Sequence, residues 1–158
     1  MTDAALWTLD AVRKTRASLL DAVDGLPPEA WLVVPDGFSN NVLWNVGHVA
    51  VTAELLTYGL ACLDLPAPPA AVAAFRKGTS PSDWSAPPDI GATRRLFLDG
   101  VDRLEADVRA GRFDGAPFRS YTTTPGVTLS GLPEALAFNV YHEGLHAGTV
   151  LALRKHVG

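Results

Sequence analysis

The sequence predicts an all-α protein: a four-helix bundle with long crossover connections. Apolar residues recur at helical spacing in four segments, proline- and glycine-rich stretches separate these segments, and no segment has a strong strand pattern. Two of the three connections are long, which favours a topology other than simple up-down-up-down. The length of 158 residues suits one domain, residues 1–158, because such a chain buries one real core and is short for two.

Helices one and two are predicted over residues 3–24 and 41–62. Thr2 or Asp3 can cap helix one, which ends before a Gly-Leu-Pro-Pro turn. Residues 27–41, PPEAWLVVPDGFSNN, are expected to form a loop or a short helical turn. The last three residues of this segment, Ser39, Asn40 and Asn41, are N-cap candidates for helix two.

Helices three and four are predicted over residues 90–110 and 133–156. The first long connection, residues 64–89, is rich in proline and is expected to contain one short helix within AAVAAFRK. The second, residues 113–130, contains glycines, prolines and three consecutive threonines, so at most a short extended piece is expected there. Pro133 is suited to the first turn of helix four.

Composition and charge argue against several classes of partner. Hydrophobic residues make up 47% of the chain and charged residues 19%, which is typical of a folded globular protein. The net charge is -4 and the Lys and Arg residues are scattered, so nucleic acid is not expected as a partner. The sequence contains no uninterrupted stretch of 18 apolar residues, so no membrane-spanning helix is predicted. A single cysteine, Cys62, and a start without a signal-peptide pattern predict a cytoplasmic location.

Three of the four histidines form a candidate metal site. His142 and His146 are at i and i+4, so their side chains lie on the same face of helix four. His48 lies in the middle of apolar helix two, where a buried imidazole requires a polar partner. His156 is near a helix C-terminus, which explains a basic side chain without a metal. The alternative for the first three is that they are surface or hydrogen-bonded core histidines.

The stretch His142-Glu143-Gly-Leu-His146 also matches the HExxH pattern of zinc peptidases. A peptidase of that class requires a third ligand beyond the motif. Only twelve residues follow His146, and none of them is Asp or Glu. The sequence also offers no sheet against which such a metal helix packs. The peptidase interpretation is therefore not favoured.

The segments NNVLWNVGHVA and YHEGLHAGTVLALRK together resemble the DinB-like superfamily of metal-binding four-helix bundles. The resemblance covers nearly the whole chain, including the turn EAWLVVPDGFSNN and the long crossover. It implies that His48, His142 and His146 are the metal ligands. Thr149 is a departure, because many members have Gln after the Gly at that point. Characterised relatives are thiol-dependent transferases and isomerases that use low-molecular-weight thiols such as mycothiol or bacillithiol.

Three histidines leave a divalent ion with open coordination positions, and imidazole suits zinc and nickel. Together with the thiol-dependent relatives, the resemblance implies a metal-dependent S-transferase in which a small thiol attacks an electrophilic substrate. One alternative is a hydrolase of a small ester or amide that uses metal-activated water. Another is a non-catalytic metal-binding stress protein. Turnover without added thiol distinguishes the first, and the absence of any turnover distinguishes the second.

Glu143 is the candidate catalytic residue, as a general base or as a partner of the ligands. The alternative is a solvated charge on the helix flank, about 100° from His142. Asn45 and Thr52 are further polar candidates, each expected to be structural.

The substrate pocket is expected at the bundle end near His48, covered by the loops around residues 31–38 and Trp84. Gly47, Gly144 and Gly148 lie inside predicted helices and suggest close backbone approach or room for a ligand. Apolar runs on helices one and three predict a homodimer; these runs are Ala4 to Trp7 and Leu96 to Leu98.

Overall fold

The computed structural model describes residues 3–158, and its architecture is the all-α bundle that the sequence predicts. Thr2, a proposed cap of the first helix, lies outside the described residues. Four long helices form the bundle and a short one lies in the crossover. Their bounds are α1 Asp3–Val23, α2 Val42–Glu54, α3 Pro69–Phe75, α4 Ile90–Arg109 and α5 Leu132–Val157.

The packing partners of the helices define the bundle. α1 packs against α4 and α5, and α2 packs against the same two helices, so α1 and α2 lie across the bundle from each other. The crossover helix α3 packs on α2. The long connection between α2 and α4 lets α3 reach the side of α2 that carries His48, which matters for the site.

Helix α2 begins at a side-chain cap, as the Ser-Asn-Asn tripeptide suggested. The Asn41 Oδ1 accepts a hydrogen bond from the backbone N–H of Trp44 at 2.8 Å, and the Asn41 amide donates to the Leu32 carbonyl at 3.1 Å. This second bond ties the start of α2 to the short 3-10 helix Pro28–Leu32, the helical turn expected before it. Nearly every residue of α2 is buried, so this helix is the centre of the core.

The last part of the predicted second helix is a wider turn. After Glu54 the helix continues as a π-helical segment, Leu55–Gly59. A turn over residues 60–62 follows, and its last residue, Cys62, has a left-handed φ of 57°. Single π-helical turns are frequent at functional sites because they change the direction of side chains within a helix. Here the turn presents leucines to the space beside the histidines.

The second connection folds into a small antiparallel hairpin, in agreement with the short extended piece expected there. Strand β1 (Tyr121–Thr122) pairs with β2 (Thr128–Leu129), with Tyr121 opposite Leu129. The turn is closed by Thr123, whose N–H and hydroxyl both donate to the Val127 carbonyl at 2.9 Å. The Leu129 side chain is fully buried and anchors the hairpin on the bundle.

None of the helices described over residues 3–158 combines the length and apolar character required to cross a bilayer.

Candidate metal centre

The structure brings His48, His142 and His146 together between α2 and α5. One ligating atom from each lies within 4.8 Å of those of the other two. The ring centroids of His142 and His146 are 4.6 Å apart, and His48 is 4.8 Å from His146 and 5.2 Å from His142. The grouping that the sequence suggested is thus present, although residue 48 is far from the other two along the chain.

A backbone carbonyl orients His48. Its Nδ1 lies 2.7 Å from the carbonyl oxygen of Phe75, the last residue of α3. Because a carbonyl oxygen only accepts, Nδ1 must carry the proton, which leaves the lone pair on Nε2. The Thr52 hydroxyl lies 3.4 Å from that Nε2. The Trp44 ring stacks on the imidazole with centroids 4.4 Å apart.

A side-chain amide orients His146 in the same way. Its Nδ1 lies 2.7 Å from the Oδ1 of Asn45, while the Asn45 amide nitrogen donates to the Asn41 carbonyl at 2.7 Å. This second bond fixes which end of the Asn45 amide faces the imidazole, so the His146 proton is on Nδ1 and Nε2 is free. The sequence suggested only a structural role for Asn45, and its position three residues before His48 was the available signal.

His142 has no such support. Its Nδ1 is buried and, within residues 3–158, has no hydrogen-bond partner. Burial and the neighbouring imidazoles lower the pKa of His142 to about 3. Burial, followed by the charge of His48, lowers the pKa of His146 to about 4, and burial also lowers that of His48. All three imidazoles are therefore neutral at pH 7, which is the form that ligates a metal.

These observations fit a divalent metal ion. Three neutral imidazoles converge, two of them have the outer N–H fixed by an oxygen acceptor, and the third has a buried nitrogen without a partner. Histidines that bind metal ions usually donate their other N–H in this manner, which fixes the tautomer and the ring orientation. Without a metal ion, the ring nitrogens of three neutral histidines would direct lone pairs toward one another in a buried site, which is energetically costly.

Glu143 is not the solvated charge that was one expectation. It is only 8% exposed, and its two carboxylate oxygens accept from Nε and Nη2 of Arg16 on α1, at 2.9 and 2.7 Å. Arg16 is itself 3% exposed and also donates to the Phe97 carbonyl at 2.6 Å. Glu143 is buried because its position on α5 faces α1, which carries Arg16, and α4, which carries Phe97. Its catalytic role stays a prediction.

The cavity beside the histidines has a volume of about 600 Å³ and includes His48 and His142 in its wall. The expected cover is wrong: residues of the hairpin and of the π-helical turn enclose this space, and the loops at 31–38 and Trp84 do not. Trp31 is 2% exposed within the core, and Trp84 lines a separate surface cavity beside α3. The hairpin lies over this part of the bundle because Leu129 is anchored there.

The three helix glycines differ in their surroundings. A Cβ at Gly47 would lie 2.5 Å from ring atoms of Phe75, so this glycine is required for the close approach of α3. At Gly144 and Gly148 no described atom outside the local helix lies within 4 Å of such a Cβ. Of the two expected alternatives, close approach is present at Gly47, and Gly144 and Gly148 have open space instead, although neither lines the cavity beside the histidines.

The hydroxyl of Thr149, at the position of the family departure, donates to the Leu145 carbonyl at 3.0 Å within the helix. His156 lies away from the three histidines, with its ring 5.5 Å from that of Phe38.

A family model described as the DinB superfamily matches residues 11–150 of this chain. The matched part contains all three clustered histidines and ends before His156. No curated protein matches the chain.

Proposed function

The chain belongs to the DinB superfamily, and from this premise we propose that it is a metal-dependent enzyme that transfers a low-molecular-weight thiol to an electrophilic substrate. The observation that carries the proposal is the position of the histidine cluster beside a cavity of about 600 Å³, with His48 and His142 in the cavity wall. A closed structural metal site has four protein ligands, whereas three ligands beside a cavity leave room for reactants.

His48, His142 and His146 would hold the ion, and zinc or nickel suits three imidazoles. Bound there, it would lower the pKa of a thiol and so supply a thiolate near neutral pH. In the transfer, sulfur forms a bond to an electrophilic carbon while the bond from that carbon to its leaving atom breaks. The thiol proton ends on the departing atom or in solvent. Bacillithiol and mycothiol are the thiols that the family resemblance favours.

The residues of this chain would contribute orientation and desolvation. Phe75 and Asn45 hold the ring orientations of His48 and His146 through the two Nδ1 hydrogen bonds. The Thr52 hydroxyl, 3.4 Å from His48 Nε2, lies where it can contact a bound reactant. The leucines of the π-helical turn limit the access of water to this side of the cavity.

Glu143 is a weaker candidate for a general base than its place beside His142 in the sequence suggested. Glu143 is not among the described residues that line the cavity beside the histidines. Both of its carboxylate oxygens accept hydrogen bonds from Arg16. A base must reach the proton it removes, directly or through one water molecule. We therefore propose that Glu143 positions α5 through Arg16.

An assay of the metal-loaded protein tests the proposed function. Protein containing zinc or nickel is incubated with bacillithiol, mycothiol or cysteine and with an aryl halide or an epoxide, and the thioether product is measured. We expect product with one of the thiols, and none from metal-free protein. Ester or amide hydrolysis without thiol would replace the proposal with the hydrolase, and no turnover by fully metallated protein would favour the non-catalytic metal-binding protein.

The metal ligands are tested separately by metal content. Replacing His48, His142 or His146 by Ala should greatly reduce bound zinc or nickel and leave the helical circular-dichroism signal in place. His156→Ala is the matched control and should retain full occupancy. A His48→Ala protein with wild-type affinity would contradict the three-ligand site.

We further propose that the protein is a homodimer. On α1 the Trp7 side chain is 71% exposed, and on α4 Leu98 is 36% exposed. Four large apolar side chains of α5 are exposed as well: Val140, Tyr141, Leu145 and Leu151. Burial of such surface against a second copy is favourable, and two-fold dimers are the commonest soluble oligomers. Light scattering at micromolar concentration should give twice the chain mass, and a strictly monomeric mass would contradict the proposal.

Residues 1–158 are proposed to form a single domain, supported by the packing of α1, α2, α4 and α5 around one core. A cytoplasmic location is also proposed. It is supported by Cys62, an exposed free thiol, because such a thiol persists in a reducing compartment. Cell fractionation with an antibody against the protein would test the location.

A further inference from the structure

We propose that the cavity beside the histidines binds an amphiphilic monoanion, a molecule with an apolar aliphatic or aromatic body and a single carboxylate. This molecule would be the electrophilic substrate, so the inference rests on the proposed function and adds the chemical class of its second reactant. Lys77 at the edge of the cavity is assigned as the residue that recognises the carboxylate.

The apolar part of the cavity wall comes from three elements. Leu55, Leu56 and Leu60 face it from the π-helical turn and its end, Phe138 and Leu145 from α5, and Pro125 from the hairpin. Cavities of this size and character bury most of a small ligand, and its apolar surface supplies most of the affinity. A ligand with an extended apolar body is therefore expected.

The wall has five hydroxyl groups. Those of Thr123 and Thr124 are hydrogen-bonded within the protein, and those of Tyr121 and Tyr141 belong to side chains that are 37% and 52% exposed. The Thr123 hydroxyl donates to the Val127 carbonyl at 2.9 Å, and the Thr124 hydroxyl accepts from the Lys77 ammonium at 2.8 Å. Thr52 lies beside His48. Few free polar groups remain in the interior for a ligand with many hydroxyls, and unpaired polar groups of such a ligand would lose their hydration at a cost. The wall therefore favours an apolar body over a sugar.

The charge of the wall favours an anion. Among the described residues that line the cavity, Lys77 is the only Lys or Arg, and none is Asp or Glu. The two histidines of the wall, His48 and His142, are neutral at pH 7. Lys77 follows α3 by two residues, is exposed, and donates a hydrogen bond to Thr124 of the hairpin, so its ammonium lies between these two segments of the cavity wall. An ammonium has three donors, so Lys77 can keep Thr124 and still donate to a carboxylate.

The relation between Lys77 and the histidines indicates how the molecule would lie. The Phe75 carbonyl holds His48, and Lys77 is two residues further along the chain, at the solvent-exposed edge. A carboxylate at Lys77 would remain partly solvated while the apolar body contacts the leucines and Phe138. The reactive carbon of the body would then face His48 and His142, which line the same cavity.

A binding experiment without any thiol tests this inference. Hexanoate, octanoate and decanoate are titrated into metal-free and zinc-loaded protein by calorimetry, with 1-octanol as the uncharged comparison. We expect binding to both forms, an affinity that rises about fourfold for each added methylene, and an octanoate affinity that falls as sodium chloride increases. No octanoate binding to either form would overturn the inference.

Lys77→Gln tests the anion contact, with Lys155→Gln at the end of α5 as the control because Lys155 does not line the cavity. Octanoate affinity should fall about fivefold in Lys77→Gln, a modest loss because the side chain is exposed, while 1-octanol affinity and the Lys155→Gln protein stay unchanged. An equal loss for octanoate and 1-octanol would indicate a merely structural lysine and overturn the assignment. Octanoate binding only to zinc-loaded protein, unaffected by Lys77→Gln, would place the carboxylate on the metal and also overturn it.

The two proposals fail separately. Carboxylate binding that depends on Lys77, together with no thioether product in any assay, would reject the transferase and keep the ligand class. Thioether formation with an uncharged electrophile, together with no carboxylate binding, would reject the ligand class and keep the transferase.

Discussion

The Nδ1 atom of His146 lies 2.7 Å from the Oδ1 of Asn45, a contact that joins α5 to α2 across the histidine cluster. Asn45 is 1% exposed, and its amide nitrogen is held by the carbonyl of Asn41. The hydrogen bond to Asn41 therefore holds the Asn45 side chain in place without a metal ion. Its contact with His146 gives the first prediction.

Asn45→Leu should weaken zinc binding about 10–100-fold, because His146 loses the acceptor that fixes its tautomer and orientation. Asn45→Asp keeps an acceptor for the His146 N–H but loses the donor to the Asn41 carbonyl, so it should retain more zinc affinity than Asn45→Leu while losing stability. Competition with a chelator of known affinity measures both variants. Unchanged affinity in Asn45→Leu would show that the hydrogen bond does not support ligation.

The buried ion pair between Arg16 and Glu143 predicts a large loss of stability when one partner is removed. Glu143→Gln leaves the Arg16 charge buried without its counter-ion and should lower the free energy of unfolding by about 3 kcal/mol, measured by urea denaturation. Asp102→Asn is the control, because the pair between Arg13 and Asp102 is exposed and should cost less than about 1 kcal/mol.

A double variant of the same ion pair distinguishes a positioning role of Glu143 from a catalytic one. If Glu143 acts through Arg16, Arg16→Met combined with Glu143→Leu should recover stability, and the folded double variant should retain metal and turnover. A double variant that is stable and metal-loaded but has lost turnover would support the general-base role instead.

Metal-free protein should lose stability as the pH falls below 6.5. The folded-state pKa values of His142 and His146 are about 3 and about 4, against an ordinary value of 6.5. Between these values the unfolded chain binds more protons than the folded chain, so the free energy of unfolding decreases with falling pH and levels off below about 3.

The measurement is urea denaturation of chelator-treated protein across this pH range. His142→Leu removes the histidine with the lowest pKa and should show a shallower pH dependence than the wild type over the same interval. An identical dependence in both proteins would assign the effect to the carboxylates elsewhere in the chain.

Gly47→Ala and Gly144→Ala form a matched pair with opposite expected signs. At Gly47 the added methyl would meet the Phe75 ring at 2.5 Å, so α3 must move and the Phe75 carbonyl moves with it. Both stability and zinc affinity should fall. At Gly144 no described atom outside the local helix lies within 4 Å, and alanine inside a helix is favoured over glycine by about 0.5–1 kcal/mol.

Thermal unfolding and zinc titration of the two variants check this pair. A neutral Gly47→Ala would mean that α3 adjusts without disturbing His48. A destabilised Gly144→Ala would indicate that the exposed side of α5 is covered in solution, as in the proposed dimer.

The helices and the paired ligands could be predicted because their signals are local. His142 and His146 are one turn apart on one helix, and the bounds of α1, α4 and α5 follow from apolar spacing and from prolines and glycines near their ends. The grouping with His48 required a mid-helix polar residue in an apolar helix, together with the family resemblance. These signals do not depend on how the connections fold.

The features that were missed are long-range contacts without a local pattern. Arg16 and Glu143 are 127 residues apart, and nothing in the segment around either residue indicates a partner. The cavity cover was assigned to the wrong loops because the position of the hairpin depends on Leu129 packing into the bundle. Local sequence describes a turn well, but it does not specify the surface on which the turn comes to lie.

The two oriented histidines differ in how easily evolution or design can change them. His146 depends on a side chain, so a single codon change at position 45 can strengthen, weaken or remove its support. His48 depends on the backbone oxygen of Phe75, which every amino acid at that position supplies. The orientation of His146 is therefore open to gradual adjustment by point substitution, while that of His48 changes only when the path of the chain through α3 changes.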